Sequence, residues 1–177
     1  MKIEELRQSL LIQNKCGLNR ISAEQRADMD AYIQRYSAFL TACKTEREAV
    51  AWAIDAAEKL GFKPIVPGMD VKPGDKVYLN GHNKSLILAV VGTEPLAKGA
   101  NICGAHVDSP RMDLKPNPLY EDNDIAYFKT HYYGGIKKYQ WTCVPLAIHG
   151  VVCLKDGTSV NVVIGEDPAD PVLMISD

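Results

Sequence analysis

Apolar positions in the first sixty residues recur at helical spacing, and from about residue 76 they give way to short β-prone runs separated by turn residues. Ile3, Leu6 and Leu10 fall on one face of a first short helix, which the pattern breaks at Cys16-Gly17-Leu18-Asn19. Ser22, with Gln25 three residues on, has the signature of a reciprocal helix cap. From there Met29, Tyr32, Ile33, Tyr36, Phe39, Leu40 and Cys43 form the stripe of a long amphipathic helix, expected to pack in a core rather than to hold a cofactor. Thr45 with Glu48 repeats the start signal. Ala49, Val50, Ala53, Ile54, Ala57 and Leu60 then keep the period until Gly61 supplies a stop.

Beyond the helices, 76–80 and 85–92 predict two strands joined through the polar turn Gly81-His82-Asn83-Lys84, which makes His82 a turn residue. Residues 94–99 read as a loop. The small apolar run Ala100-Asn101-Ile102-Cys103-Gly104-Ala105 predicts a buried central strand that delivers a catalytic loop at its exit. From Arg111 to about Asp124 the chain is rich in Pro, Asn and Asp, and Lys115-Pro116-Asn117-Pro118 forbids regular helix. Tyr127 to Tyr133 predicts a strand ending at Gly134-Gly135. Three further β-prone segments lie near 145–152, 159–164 and 172–175, with Asp156-Gly157 as a hairpin turn. The end at Ile175-Ser176-Asp177 carries no natural terminating signal, so the β-rich tail is expected to be incomplete.

At 177 residues, with 46% hydrophobic and 24% charged positions, the chain has room for one full domain and part of another, and argues against disorder. A net charge of -2 with interleaved signs leaves no basic face for nucleic acid or an anionic membrane. Neither a leader nor a spanning apolar segment is evident, so the protein is expected in the cytoplasm. Cys16, Cys43, Cys103, Cys143 and Cys153 are odd in number and lack paired spacing, which predicts reduced and mostly buried thiols.

The chemistry concentrates in His106-Val107-Asp108-Ser109-Pro110. An imidazole nitrogen can ligate a metal, and a carboxylate two residues on can hydrogen-bond the other ring nitrogen, setting tautomer and direction. A satisfied structural histidine would show the same spacing. Among the other candidates, Lys137 and Lys138 are expected to be solvated, His149 to be a core or interface residue, and Glu166, Asp167 and Asp170 to form a solvated acidic loop.

The wider context Gly104-Ala105-His106-Val107-Asp108-Ser109-Pro110, with Lys115-Pro116 downstream, resembles the aspartyl aminopeptidase family of zinc metallo-aminopeptidases. Lys44 to Ala49, Ser85-Leu86-Ile87, Tyr133-Gly134-Gly135-Ile136 and Trp141 extend the likeness over essentially the whole chain. Many members follow the Gly-Gly turn with Trp-x-Asp-Arg, whereas Trp141 is followed by Thr142-Cys143-Val144, a departure that looks like a bacterial branch. The resemblance implies an α/β fold, in which helices and first strands of a zinc-peptidase catalytic domain, 1–130, precede the start of an inserted β-rich dimerisation domain, 131–177. It implies His106 as a metal ligand and Asp108 as the catalytic-site residue that orients it. Two zinc ions are expected in the complete enzyme, with cobalt or manganese as other divalent candidates. The implied reaction is removal of N-terminal amino acids from peptides. The implied partners are a peptide substrate and the missing C-terminal portion or a homo-oligomer. The family's bridging Asp, Glu pair, further acidic ligand and late His have no match here, so this portion is expected to be inactive alone.

Two other readings stay open on the residues. One is a non-catalytic fragment or assembly module whose exposed strand edges pair with another chain. The other is a mononuclear hydrolase using His106 and Asp108 with some of His82, His131 or His149.

Overall fold

In a computed structural model that describes residues 3–12 and 16–175, the chain divides into two units, Met1–Thr41 and Ala42–Asp177. The expectations for Met1-Lys2 and for Ser176-Asp177 fall outside the described residues. In the first unit, helix α1 covers Ile3–Leu10, a single 3-10 turn covers Gly17–Asn19, and helix α2 runs from Ala23 to Ala42. Ser22 caps α2 as its spacing predicts: the Gln25 N–H donates to Ser22 Oγ at 3.1 Å, and the Ser22 N–H donates to Gln25 Oε1 at 2.9 Å. The expected core stripe is different. No residue of α2 is buried, and its rings stack on one another instead, Tyr32 on Tyr36 at 6.3 Å and Tyr36 on Phe39 at 6.4 Å.

The second unit opens with helix α3, Glu46–Lys59, capped reciprocally by Thr45 and Glu48. It ends where Gly61 takes a φ of +86°, and the Phe62 N–H turns back to the Ala57 carbonyl at 3.0 Å. Strands β1 (Lys63–Pro64), β2 (Lys76–Gly81) and β3 (Ser85–Val90) form a sheet in that order, β1 parallel to β2 and β2 antiparallel to β3. The turn at 81–84 has both central residues left-handed, His82 at +57° and Asn83 at +58°, and the Lys84 N–H closes it on the Gly81 carbonyl. Ala49, Val50 and Ala57 of α3 with Val77 and Tyr78 of β2 make up the core, and Val50 is 1% exposed. The Tyr78 hydroxyl donates to Glu58 at 2.7 Å and pins the helix to the sheet.

Residues 100–105 do not form the expected strand; they are irregular, and Ile102 is 90% exposed. A parallel central strand needs a hydrogen-bonded neighbour on each side, and among the described residues none is offered to this run. The Pro-rich stretch that follows is a long strand. β4 (Arg111–Asp122) pairs antiparallel with β5 (Ile125–Tyr133), and the register shifts between Leu114 and Leu119, where the two prolines deprive the ladder of donors. The Asn123-Asp124 turn joins them, both residues left-handed. Position 130/131, the expected domain division, falls within β5.

One helical turn, α4 (Lys138–Trp141), leads to the hairpin of β6 (Ile148–Cys153) and β7 (Ser159–Ile164), turned at Asp156-Gly157 as predicted. The expected strand at 172–175 contributes isolated bridges only, Leu146 with Leu173 and Thr142 with Ile175. All five cysteines are free, but four are exposed and Cys43 is half-buried, against the expectation of buried thiols. The reason is general to the chain. Among the described residues only Ala49, Val50, Ala57, Val77 and Tyr78 are buried, so most side chains of every type stay in contact with solvent.

Candidate functional site

His106 and Asp108 lie in the irregular segment just ahead of β4, and the β4–β5 ladder decides what they meet. Arg111 pairs with Tyr133 in the register, which brings the end of β5 beside a loop only three residues upstream of Arg111. Gly134 runs beside Pro110, where an added Cβ would sit in ordinary contact 3.5 Å from its Cα, and its φ of +72° is the feature that favours glycine there.

His106 Nδ1 is 2.8 Å from the Asp108 backbone carbonyl and 3.2 Å from Asp108 Oδ1. A carbonyl oxygen can only accept, so Nδ1 carries a hydrogen, which in the neutral ring leaves Nε2 as the bare acceptor. That is the tautomer a metal ligand requires. The His106 side chain is 81% exposed and that of Asp108 37%. The Tyr133 hydroxyl donates to Asp108 Oδ2 at 2.8 Å. This bond, chiefly, holds the Asp108 carboxyl below its usual range, with smaller help from its own backbone N–H and from His106. The same bond raises the Tyr133 hydroxyl above its ordinary value, because ionising it would place a second negative charge against the carboxylate.

Tyr133 is held in turn. The Arg111 guanidinium lies 4.1 Å from its ring centroid. Arg111 Nε donates to Asp113 at 2.8 Å, and its Nη1 stands 3.7 Å from Glu46 of α3.

The remaining histidines do not converge on His106. His82 sits in the β2–β3 turn, and His131 stacks on Tyr132 at 5.7 Å between ring centroids. His149, on β6, is 12% exposed and lies between two carboxylates, with Nδ1 2.8 Å from Glu48 and Nε2 3.0 Å from Glu166. Burial works against charging this ring, but the hydrogen bonds to Glu48 and then Glu166 prevail and raise its pKa above the ordinary value. In the acidic loop Glu166 and Asp167 are exposed, as expected, and Asp170 is half-buried, but all three also accept hydrogen bonds. Glu166 holds His149, Asp170 accepts from the Gly165 N–H at 2.7 Å, and Asp167 accepts from the Ala169 N–H at 2.8 Å. These residues close the end of β7, where short acidic side chains can reach backbone donors that the ladder no longer serves. Lys137 and Lys138 are exposed, as expected, and the Lys138 ammonium lies 4.5 Å from the Tyr132 ring centroid.

Among the described residues no group of three or more His, Cys, Asp or Glu side chains is arranged to hold a metal ion. The donor set is one imidazole nitrogen and the carboxylate that orients it, which does not by itself satisfy the four-coordinate demand of zinc. Tyr133, Arg111 and Glu46 were not legible as members of the site. The one signal for Arg111 and Tyr133 was the Asn123-Asp124 turn, which sets the hairpin register; Glu46, on α3, had none.

The family model for the aminopeptidase I zinc metalloprotease (M18) matches residues 39–177. A probable M18 family aminopeptidase 1 of Clostridium acetobutylicum is 52% identical over 172 residues, covering 95% of this chain and 37% of that protein. The crystal structure of aminopeptidase I from Borrelia burgdorferi B31 superposes with a TM-score of 0.86 at 41% identity, covering 92% of this chain and 40% of that one. That of aminopeptidase I from Clostridium acetobutylicum gives a TM-score of 0.79 at 50% identity, with 95% and 38% covered. The chain thus spans well under half the length of the relatives it matches, and its mixed α/β architecture is theirs over that span. No helix among the described residues is long and apolar enough to cross a membrane. On the family match across 39–177, the chain belongs to the aminopeptidase I zinc metalloprotease (M18) family.

Proposed function

We propose that this chain is part of a zinc aminopeptidase that hydrolyses N-terminal amino acids from peptides, with His106 as a metal ligand and Asp108 as the residue that orients it. The observation that carries the reading is the contact of His106 Nδ1 with Asp108. The contacts of Nδ1 with Asp108 leave Nε2 bare and exposed, in a span that matches the family. Zinc would be held through Nε2 together with donors supplied from beyond these residues, and two ions are the expected complement. The stretch 1–130 belongs, on this reading, with the catalytic domain, and 131–177 begins a β-rich domain that mediates homo-oligomer formation in the cytoplasm.

The test is complementation. The chain is co-expressed with the remaining length of an M18 relative, and release of N-terminal residues from peptides is followed with and without zinc. Zinc-dependent release that His106→Ala abolishes supports the reading; release that survives His106→Ala overturns it.

A second reading, a non-catalytic assembly module, is favoured by the absence of a three-donor group among the described residues and by the exposed apolar surface of β3, where Ile87, Leu88 and Val90 stand uncovered. Stable association with the complementing chain without any peptide hydrolysis would support it.

A further inference from the structure

The Asp108 carboxylate is gripped from two sides, and the second grip comes from a residue far along the chain. Oδ1 faces the His106 ring at 3.2 Å, while Oδ2 takes the Tyr133 hydroxyl at 2.8 Å. With only the His106 contact, an exposed aspartate would be free to turn about its side-chain torsions and point Oδ1 elsewhere. With Oδ2 also bonded, that rotation is blocked and Oδ1 stays on Nδ1.

Tyr133 in its turn has little freedom. Its backbone is paired with Arg111 in the β4–β5 ladder, and its ring lies 4.1 Å from the Arg111 guanidinium. Arg111 is tied through Nε to Asp113 of its own strand, and its Nη1 faces Glu46 on α3 at 3.7 Å. Burial disfavours the charged guanidinium, but Asp113 first and Glu46 after it keep its pKa raised, so it is cationic whenever it lies over the ring. An Arg plane can stack on an aromatic face and donate at its edge at the same time; a lysine cannot.

We propose that Tyr133, backed by Arg111, is the positioning residue of the His106–Asp108 pair: its hydroxyl fixes the Asp108 carboxylate, which adds a second hold on the His106 ring to that of the Asp108 backbone carbonyl, 2.8 Å from Nδ1. The proposal rests on the reading of His106 as the ligand only for its consequence; the positioning itself is a property of this chain without metal. Its consequence is that loss of the hydroxyl weakens the hold of His106 on a metal ion although Tyr133 touches neither the ring nor the ion. Outer partners of this kind typically change metal affinity by about 10–100-fold, and an exposed one is expected near the lower end.

The experiment uses the 177-residue chain labelled at histidine nitrogens. The Nδ1 and Nε2 signals of His106 are recorded at pH 8 for the parent, Tyr133→Phe and Arg111→Lys, each then titrated with zinc ions alone. Phenylalanine keeps the ring and removes only the hydroxyl. The expected result is a parent in which Nδ1 is protonated, about a twofold gain of the Nε2-protonated form in Tyr133→Phe, limited because the Asp108 carbonyl still accepts from Nδ1, a smaller gain in Arg111→Lys, and an apparent zinc affinity at Nε2 that falls by no more than about 10-fold in Tyr133→Phe.

Unchanged His106 signals and an unchanged zinc response in Tyr133→Phe, with the hairpin amides in place, would overturn the positioning role while leaving His106 as the ligand. A shifted tautomer with no zinc response at Nε2 in any of the proteins would sustain the positioning role and remove the metal reading. Should Tyr133→Phe lose the hairpin, Arg111→Lys decides the matter, and an unchanged tautomer in that folded variant counts against the proposal.

Discussion

Removing the His149 ring by substitution to alanine takes away the centre of an ion cluster that ties the start of α3 to the β6–β7 hairpin. The arm to Glu48 matters most. Its 2.8 Å bond joins side chains only 12% and 30% exposed, so it keeps most of the 1.5–3 kcal/mol that hydrogen bonds to charged groups contribute, about 2 kcal/mol. The arm to Glu166 ends on a side chain 51% exposed and is worth about 0.5 kcal/mol after solvent screening. Glu48 is not orphaned by the loss, because the backbone N–H groups of Lys44 and Thr45 still donate to it at 2.8 and 2.9 Å. The expected cost is about 2.5 kcal/mol, a fall in midpoint of about 5–10 °C for a chain of this size.

The cost must also depend on pH in a set direction. The His149 pKa is raised on folding, so its contribution is full below the ordinary histidine value and fades as pH rises through the folded one. Glu48 behaves oppositely. Burial alone would raise its pKa, yet the bond from His149 and those from the Lys44 and Thr45 backbones lower it, so its contribution holds above the ordinary glutamate value and is lost as pH falls through the folded one. Urea denaturation of parent and His149→Ala at half-unit steps from pH 4 to pH 9, followed by far-UV circular dichroism, should show the gap widest between these limits and closing toward pH 9. A difference under about 0.5 kcal/mol at pH 6, or one that grows from pH 7 to pH 9, would refute the charged clamp.

Other expected outcomes follow from single positions. Val50→Ala, at the most deeply buried side chain of the core, should cost about 2 kcal/mol from lost burial and the residual cavity, read as a lower urea midpoint at constant slope. Thr45→Ala removes the oxygen that accepts from the Glu48 N–H at 3.3 Å and should cost about 1 kcal/mol, with the earliest loss of amide protection in the first turn of α3. Gly165→Ala places a Cβ 2.7 Å from the Leu146 carbonyl oxygen at a φ of +101°; a cost of about 2 kcal/mol or more is expected, seen as selective weakening of the β6–β7 amides in hydrogen exchange.

The parts of the fold legible along the chain are those whose causes are local. Ser22 with Gln25 and Thr45 with Glu48 start helices because each cap is complete within four residues. His82-Asn83 and Asp156-Gly157 turn hairpins because the left-handed backbone at His82, Asn83 and Gly157 is a local property of those residues. Asn123-Asp124 belongs in the same group, but two prolines upstream masked its strand. The run at 100–105 shows the converse: its composition is that of a central strand, yet β structure is made between segments, and no neighbour among the described residues offers a ladder.

By itself the sequence determined the helices Ile3–Leu10, Ala23–Ala42 and Glu46–Lys59, most of the turns, and the nearness of Asp108 to His106, since two residues of chain keep a carboxylate within reach of an imidazole. Only the tertiary structure decided that Tyr133, 25 residues on, grips that carboxylate, and that His149 closes on Glu48 across 101 residues. Contacts of that separation depend on strand register and on the docking of one element against another. Those are set by many weak interactions acting together, and no short stretch of sequence encodes them.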